Sequence, residues 1–221
     1  MYRWDFKFSD AIDAFSKAIE LNPNYLEAYL QRGFIYQFGK RFPEALLEFE
    51  KVIELNPKYA RGYQLRAETY TQIGKYLEAI WDYNTAIELA PPKESNNPFI
   101  LHPMVVSYNG RGWVYYMIGN YQQAIKDYTK SIEIDPAGVY SYYYRGLAYN
   151  ALNKHHQAIQ DFDVAIKLGP WDYNFYLERG QTYASLADYQ KAIKDYDSAI
   201  KQSPSVQSGN DRAYHLRGKA Y

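Results

Sequence analysis

The sequence predicts an all-α fold, a solenoid of antiparallel helix pairs stacked one on the next, and three observations carry that expectation. A Tyr-x-x-Arg-Gly-x-x-Tyr block alternates with an Ala-Ile-x-Asp-Tyr block, and the two together return every 34 residues or slightly more. Inside each block the apolar and small residues fall at helical spacing: Tyr29, Gly33 and Tyr36 share one stripe, and Ala45, Phe49, Val52 and Ile53 share another. Each second block closes on a proline, which disfavours helix in the residue before it and donates no backbone hydrogen bond.

The first helices carry Tyr29, Arg32, Gly33 and Tyr36, then Tyr63, Arg66, Ala67 and Tyr70, then Tyr108, Arg111, Gly112 and Tyr115. Tyr142, Arg145, Gly146 and Tyr149 follow, then Tyr176, Arg179, Gly180 and Tyr183, and a last copy runs Tyr214, Arg217, Gly218, Tyr221. The second helices carry Ala11, Ile12 and Phe15, then Ala45, Leu46 and Phe49, then Ala79, Ile80 and Tyr83. Ala124, Ile125 and Tyr128, then Ala158, Ile159 and Phe162, then Ala192, Ile193 and Tyr196 complete the series, and the closing prolines are Pro23, Pro57, Pro91, Pro136, Pro170 and Pro204. Small residues stand where two helices need close approach, and the tyrosines fill the space around them.

This pattern resembles the tetratricopeptide repeat family, whose helix-turn-helix unit has aromatic, Gly, Tyr, Ala, aromatic and Pro at these offsets. The resemblance covers essentially the whole chain, with two systematic departures: Tyr where the family pattern has Trp, and Arg where it has Leu. It implies a right-handed superhelical solenoid with a concave groove, lined by first helices, that binds other proteins. The expected organisation is a single solenoid over 1–221, with complete repeats at 26–59, 60–93, 105–138, 139–172 and 173–206 and partial repeats at 1–25 and 211–221. The phase puts Met1 inside a unit, so a second helix over about Ser9 to Leu21 is expected to follow the tail of a truncated first helix. Such ends read as a piece of a longer array, and they are complementary, so head-to-tail self-association is one alternative they open.

Two breaks interrupt the period. An insertion at 94–104 places Phe99, Ile100 and Leu101 between Pro98 and Pro103, where apolar side chains either tuck against the solenoid or offer a contact. The second break, Gln207 to Asn210, has the composition of a plain connection.

Composition sets limits on function. Twenty-five basic residues balance 25 acidic ones, which argues against a strongly electropositive surface for nucleic acid or membrane. The chain has no cysteine, hence no disulfide framework and no thiolate metal site, a usage compatible with a reducing compartment such as the cytoplasm. No apolar run is long enough to span a bilayer, and charges are spread through the first 20 residues, unlike a signal peptide.

Catalysis finds no support. His155 takes a slot that other copies fill with Phe42, Tyr76, Tyr121 or Tyr189, and His156, His102 and His215 have no partner at metal-ligand spacing. The recurring Arg32, Arg66, Arg111, Arg145 and Arg179 and the recurring Glu48, Asp82, Asp127, Asp161 and Asp195 follow the repeat, which marks helix-to-helix ion pairs or packed stems rather than one active centre. No enzyme, cofactor or metal is expected.

Most tyrosines obey the repeat, but Tyr116, Tyr140, Tyr143 and Tyr144 do not. They lie on the face opposite the buried stripe of the first helices, where the third and sixth units are ordinary and polar. The fourth unit shows Asn109, Gly110, Trp113, Tyr116 and Met117 there, and the fifth Tyr140, Tyr143, Tyr144, Leu147 and Asn150. Gly110 is expected to leave a hollow, with Asn109 and Asn150 able to hydrogen-bond a peptide backbone; the second unit adds Leu30, Phe34 and Phe38. The alternative is that these residues pack among themselves or under the insertion. Family members that clamp acidic chaperone tails carry Lys, Asn and Arg at positions filled here by Leu30, Phe34, Leu65, Val106 and Gly110, which argues against that ligand class. The expected function is a scaffold or adaptor that binds a partner peptide or helix, with apolar anchors, in its groove. The alternative is a regulatory or substrate-docking arm of a larger enzyme.

Overall fold

The computed structural model describes residues 2–90, 103–202 and 210–221, with side chains for 8–90, 103–202 and 211–221. Among these residues the secondary structure is helical throughout: α1 (Tyr2–Leu21), α2 (Leu26–Phe38), α3 (Phe42–Leu55), α4 (Ala60–Gln72), α5 (Tyr76–Leu89), α6 (Pro103–Met117), α7 (Tyr121–Ile134), α8 (Val139–Ala151), α9 (His155–Leu168), α10 (Tyr173–Ser185), α11 (Tyr189–Gln202) and α12 (Asn210–Ala220). The helices gather into two compact units, residues 1–114 and 115–221. In the first, α2 packs on α3 and α4 on α5, with α3 also against α4; in the second, α8 pairs with α9 and α10 with α11 in the same way. The fold class is all-α, antiparallel helix pairs in series, as the sequence predicts.

Three of the pairs, α2 with α3, α8 with α9 and α10 with α11, are held together at one close approach. A Cβ on Gly33 would stand 2.7 Å from the Phe49 ring, one on Gly146 2.7 Å from Phe162 and one on Gly180 2.7 Å from Tyr196. Only glycine lets the second-helix aromatic press against the first-helix backbone, and those rings are buried together with Ala45, Ala158 and Ala192. Each pair also turns through a residue of positive φ at one repeat position: Lys40 (58°), Gly74 (77°), Gly119 (80°), Asn153 (57°) and Ala187 (59°). In the partial N-terminal unit that position holds Phe6, and α1 runs through it as one helix. The separate helix expected from about Ser9 is therefore the C-terminal part of a longer one.

Both departures from the family pattern have a structural reason. In four blocks the first tyrosine returns its hydroxyl to a proline carbonyl six residues back: Tyr29 to Pro23 (3.1 Å), Tyr63 to Pro57 (3.2 Å), Tyr142 to Pro136 (3.3 Å) and Tyr176 to Pro170 (3.3 Å). Tryptophan has no oxygen there. The arginines form helix-to-helix ion pairs, Arg32 with Glu48 (2.8 Å), Arg66 with Asp82 (2.7 Å), Arg145 with Asp161 (2.7 Å) and Arg179 with Asp195 (2.6 Å). Several also reach back to the preceding second helix, Arg32 to Ser16, Arg145 to Thr129, Arg179 to Asp163 and Arg111 to Asn84. One guanidinium therefore ties three helices together.

The insertion residues Phe99, Ile100 and Leu101 lie outside the described residues, and its last two, Pro103 and Met104, open α6. Of the second break only Asn210 is described, as the start of α12.

Candidate functional site

In the unit 115–221 the side chains singled out on α8 form an aromatic surface. Tyr143 packs on Phe162 (6.0 Å between centroids), Phe175 (5.0 Å) and Tyr144 (5.3 Å), and Tyr144 stacks on the buried Tyr128 (5.8 Å). Tyr140 meets Phe175 edge-on at 5.9 Å and is half exposed, at 52%. Tyr116, at the end of α6, meets Tyr121 edge-on at 5.3 Å, and Met117 beside it is 48% exposed. The tyrosines thus pack partly among themselves and still present ring faces and edges to solvent. The sequence left open whether these rings pack among themselves, and in part they do.

Three residues that the sequence reading passed over complete this surface. Asp172 caps the start of α10 by accepting from the Asn174 backbone N–H and also accepts from the Tyr140 hydroxyl at 3.4 Å. Glu178, one turn further along α10, is only 18% exposed at its side chain and meets the more exposed Arg212 at 3.3 Å. Burial pushes the Glu178 carboxyl above its ordinary value, and Arg212 pulls it part of the way back. Burial likewise raises Tyr143, with the Glu178 charge adding to it, and raises Tyr116, where Tyr121 and Glu178 contribute. Tyr144 and Tyr140 are raised by burial first, then by neighbouring Tyr140 and Asp172 for the former and Asp172 for the latter. All four phenols therefore stay neutral at physiological pH, offering hydroxyl donors and π faces beside a carboxylate acceptor. Glu178 breaks the repeat: the same position holds Gln31, Leu65, Gly110 and Tyr144 in other units, which was the available signal.

Asn150 does not stand ready for a peptide. Its amide nitrogen donates to the Thr182 hydroxyl at 2.6 Å and its oxygen meets His155 Nδ1 at 3.1 Å, so it joins α8 to α9 and α10. In the other unit Gln37 does the same, donating to Thr69 at 3.0 Å. Position in the repeat, not ligand binding, accounts for both.

In the unit 1–114, Phe34 (48%) and Phe38 (68%) are exposed, and Phe38 packs on Phe8 at 5.4 Å. Leu30 is buried in the core, and Asn109 and Trp113 are half-buried on α6. Gly110 leaves no hollow, because a Cβ there would stand 2.4 Å from the Tyr83 ring, which fills the space. A concavity of about 450 Å³ lies instead at the start of α4, lined by Tyr59, Leu89 and Val106 with Lys58, Arg61 and Gln64. Among the described residues no cluster of His, Asp or Glu could hold a metal ion, and no helix is long and apolar enough to cross a membrane.

Paired helices of this length, closed by a left-handed turn and a proline, define a helix-repeat scaffold. The chain belongs to the tetratricopeptide repeat family: models described as Tetratricopeptide repeat match residues 26–59, 48–80, 105–137, 127–160 and 173–206, and one described as TPR repeat matches 7–37. A comparison with curated protein sequences finds no match. Among solved structures, YrrB, "a TPR protein with an unusual peptide-binding site", is 20% identical over 94% of this chain and 99% of its own, with a TM-score of 0.67. PilF of Pseudomonas aeruginosa is 19% identical over 88% of this chain and 82% of its own (TM-score 0.72). A tetratricopeptide repeat protein from Parabacteroides merdae is 18% identical over 99% of this chain and 79% of its own (TM-score 0.65).

Proposed function

We propose that this scaffold binds a partner peptide or helix against the first-helix face of residues 115–221, with Tyr116, Met117, Tyr140, Tyr143 and Tyr144 as the contact surface. One observation carries the reading: where the first helices α4 and α10 present polar side chains, α8 presents tyrosines packed on one another and on Phe175, with Tyr140 half exposed. Rings held by their neighbours lose little side-chain freedom on binding, which is the makeup of an interaction hot spot. An apolar anchor would lie on the rings, and a donor group beside it would meet Glu178. Phe34, Phe38, Asn109 and Trp113 are proposed as contacts of the unit 1–114 in its own right. The relative YrrB, described as having a peptide-binding site, lends the reading support from a shared fold. No catalytic step belongs to it.

The test is capture of partners from a lysate by the wild-type chain and by a Tyr140→Ala, Met117→Ala variant of equal helicity. Both residues are half exposed, so their loss leaves the core intact. Partners lost with the variant support the site, and equal recovery refutes it.

A further inference from the structure

The first helices are not the only place where the repeat pattern breaks. On α5, Ala79, Tyr83 and Ala86 are buried, and Trp81 and Leu77 project from the other side, 60% and 78% exposed. Other second helices carry Leu47, Lys126, Gln160 and Lys194 at the position of Trp81, and Pro43, Gln122, His156 and Gln190 at that of Leu77. An aromatic at the first position and a leucine at the second occur together only on α5 among these helices.

They border a cavity of about 360 Å³ whose remaining wall is Arg66, Tyr70, Glu78 and Asp82. Its floor is rigid. Arg66 and Asp82 are joined by two hydrogen bonds of 2.7 and 2.8 Å, and Asp82 is wholly buried. The Trp81 ring is steadied by the buried Tyr63, centroid to centroid 6.4 Å.

The rim is acidic. Asp82 is neutralised by Arg66, but Glu78 and Glu50 enter no ion pair among the described residues and both act on Tyr70 through their charge. The Lys75 ammonium lies 5.8 Å from the centre of the same Tyr70 ring. The bias extends along the helices: α5 carries Glu78, Asp82 and Glu88 with no basic residue, and α3 carries Glu44, Glu48, Glu50 and Glu54 with Lys51 alone. By contrast α11 carries Lys191, Lys194 and Lys201. A solvent-facing indole, an apolar neighbour, a pre-formed cavity and unpaired carboxylates at its edge complement one chemistry: a bulky apolar side chain flanked by Lys or Arg.

We propose that the second-helix face of α5 is a separate docking surface for a basic amphipathic segment of a partner protein, its apolar anchor seated between Trp81 and Leu77 and its cations beside Glu50 and Glu78. This surface lies on a second helix, so it is independent of the first-helix site proposed above.

A random linear peptide library selected on the full chain tests it, with affinities of enriched peptides then measured by fluorescence anisotropy. The expected result is a family with an aromatic or Leu anchor flanked by Lys or Arg. Its affinity should fall roughly tenfold or more with Trp81→Lys, fall with added salt, and be unchanged by Tyr140→Ala. A Glu50→Lys, Glu78→Lys variant, altered only at exposed positions, should weaken the same peptides while staying fully helical. The proposal is overturned if no enriched family is sensitive to Trp81→Lys, if the sensitive family lacks basic flanks, or if Trp81→Lys abolishes self-association, which would make a second copy the occupant.

Discussion

The Arg145 guanidinium grips the Asp161 carboxylate with both prongs, Nε at 2.8 Å and Nη2 at 2.7 Å, sixteen residues apart and on facing helices. Its third nitrogen donates to Thr129 on the preceding second helix at 3.1 Å. With side chains 17% and 7% exposed, neither charge has much water to fall back on.

Removing one partner strands the other, so Asp161→Ala or Arg145→Ala is expected to cost roughly 3–5 kcal/mol in the cooperative unit containing α8 and α9. An apolar replacement of both, Arg145→Met with Asp161→Leu, should recover most of that. Urea denaturation of the single and double variants measures it, and additive losses would refute the coupling.

The left-handed turn position allows a test free of packing. A Cβ on Gly74 or Gly119 meets nothing within 4 Å, so Gly74→Ala and Gly119→Ala change only the backbone preference. Each should lose about 1 kcal/mol. Ala187→Gly and Lys40→Gly relieve the same strain, net of the entropy glycine gains in the unfolded chain, and should raise the denaturation midpoint.

The sequence made these elements legible because one rule acts in every copy: Gly33, Gly146 and Gly180 report the same close approach, and the Arg-to-acid spacing reports the same pair. Where a copy departs from the rule, its neighbours no longer inform it. α1 runs on through the position where phase demanded a turn, and Gly110 leaves room for Tyr83 of the preceding pair, where the next copy instead stacks Tyr144 on Tyr128. Asn150 read as a free amide because its partner Thr182 lies 32 residues on, across a helix pair. The α8 tyrosines were visible as non-periodic aromatics, whereas Glu178, Trp81 and Leu77 were equally non-periodic and went unweighed, one as polar and two as second-helix residues.

Tyr128 is fully buried, and its hydroxyl has no hydrogen-bond partner among the described residues. The equivalent positions in two other pairs hold Phe49 and Phe162, and Tyr83, the tyrosine of a third, bonds Thr71. Tyr128→Phe removes an uncompensated polar atom and leaves the ring in place under Tyr144. The variant should gain roughly 1 kcal/mol by thermal or urea denaturation. A loss would show that the hydroxyl is satisfied in solution.

Glu68 sets a pH dependence whose sign is fixed by its surroundings. Burial pushes its carboxyl above the ordinary glutamate value of 4.5, the hydrogen bond from Gln64 and the charge of Arg61 opposing that shift. The folded state therefore holds the Glu68 proton more tightly than the unfolded chain does. Its contribution to stability is fully present below about pH 4.5 and is lost as pH rises through the higher folded value. Glu68→Gln keeps an acceptor for Gln64, 2.8 Å away, and carries no charge to desolvate. The variant should melt above the wild type at pH 7, with the gap closing as pH falls toward 4.5. Comparing the two melting curves at matched pH cancels the titration of every other carboxylate. A variant that melts below the wild type at pH 7 would mean that Arg61 and Gln64 compensate the buried charge in full.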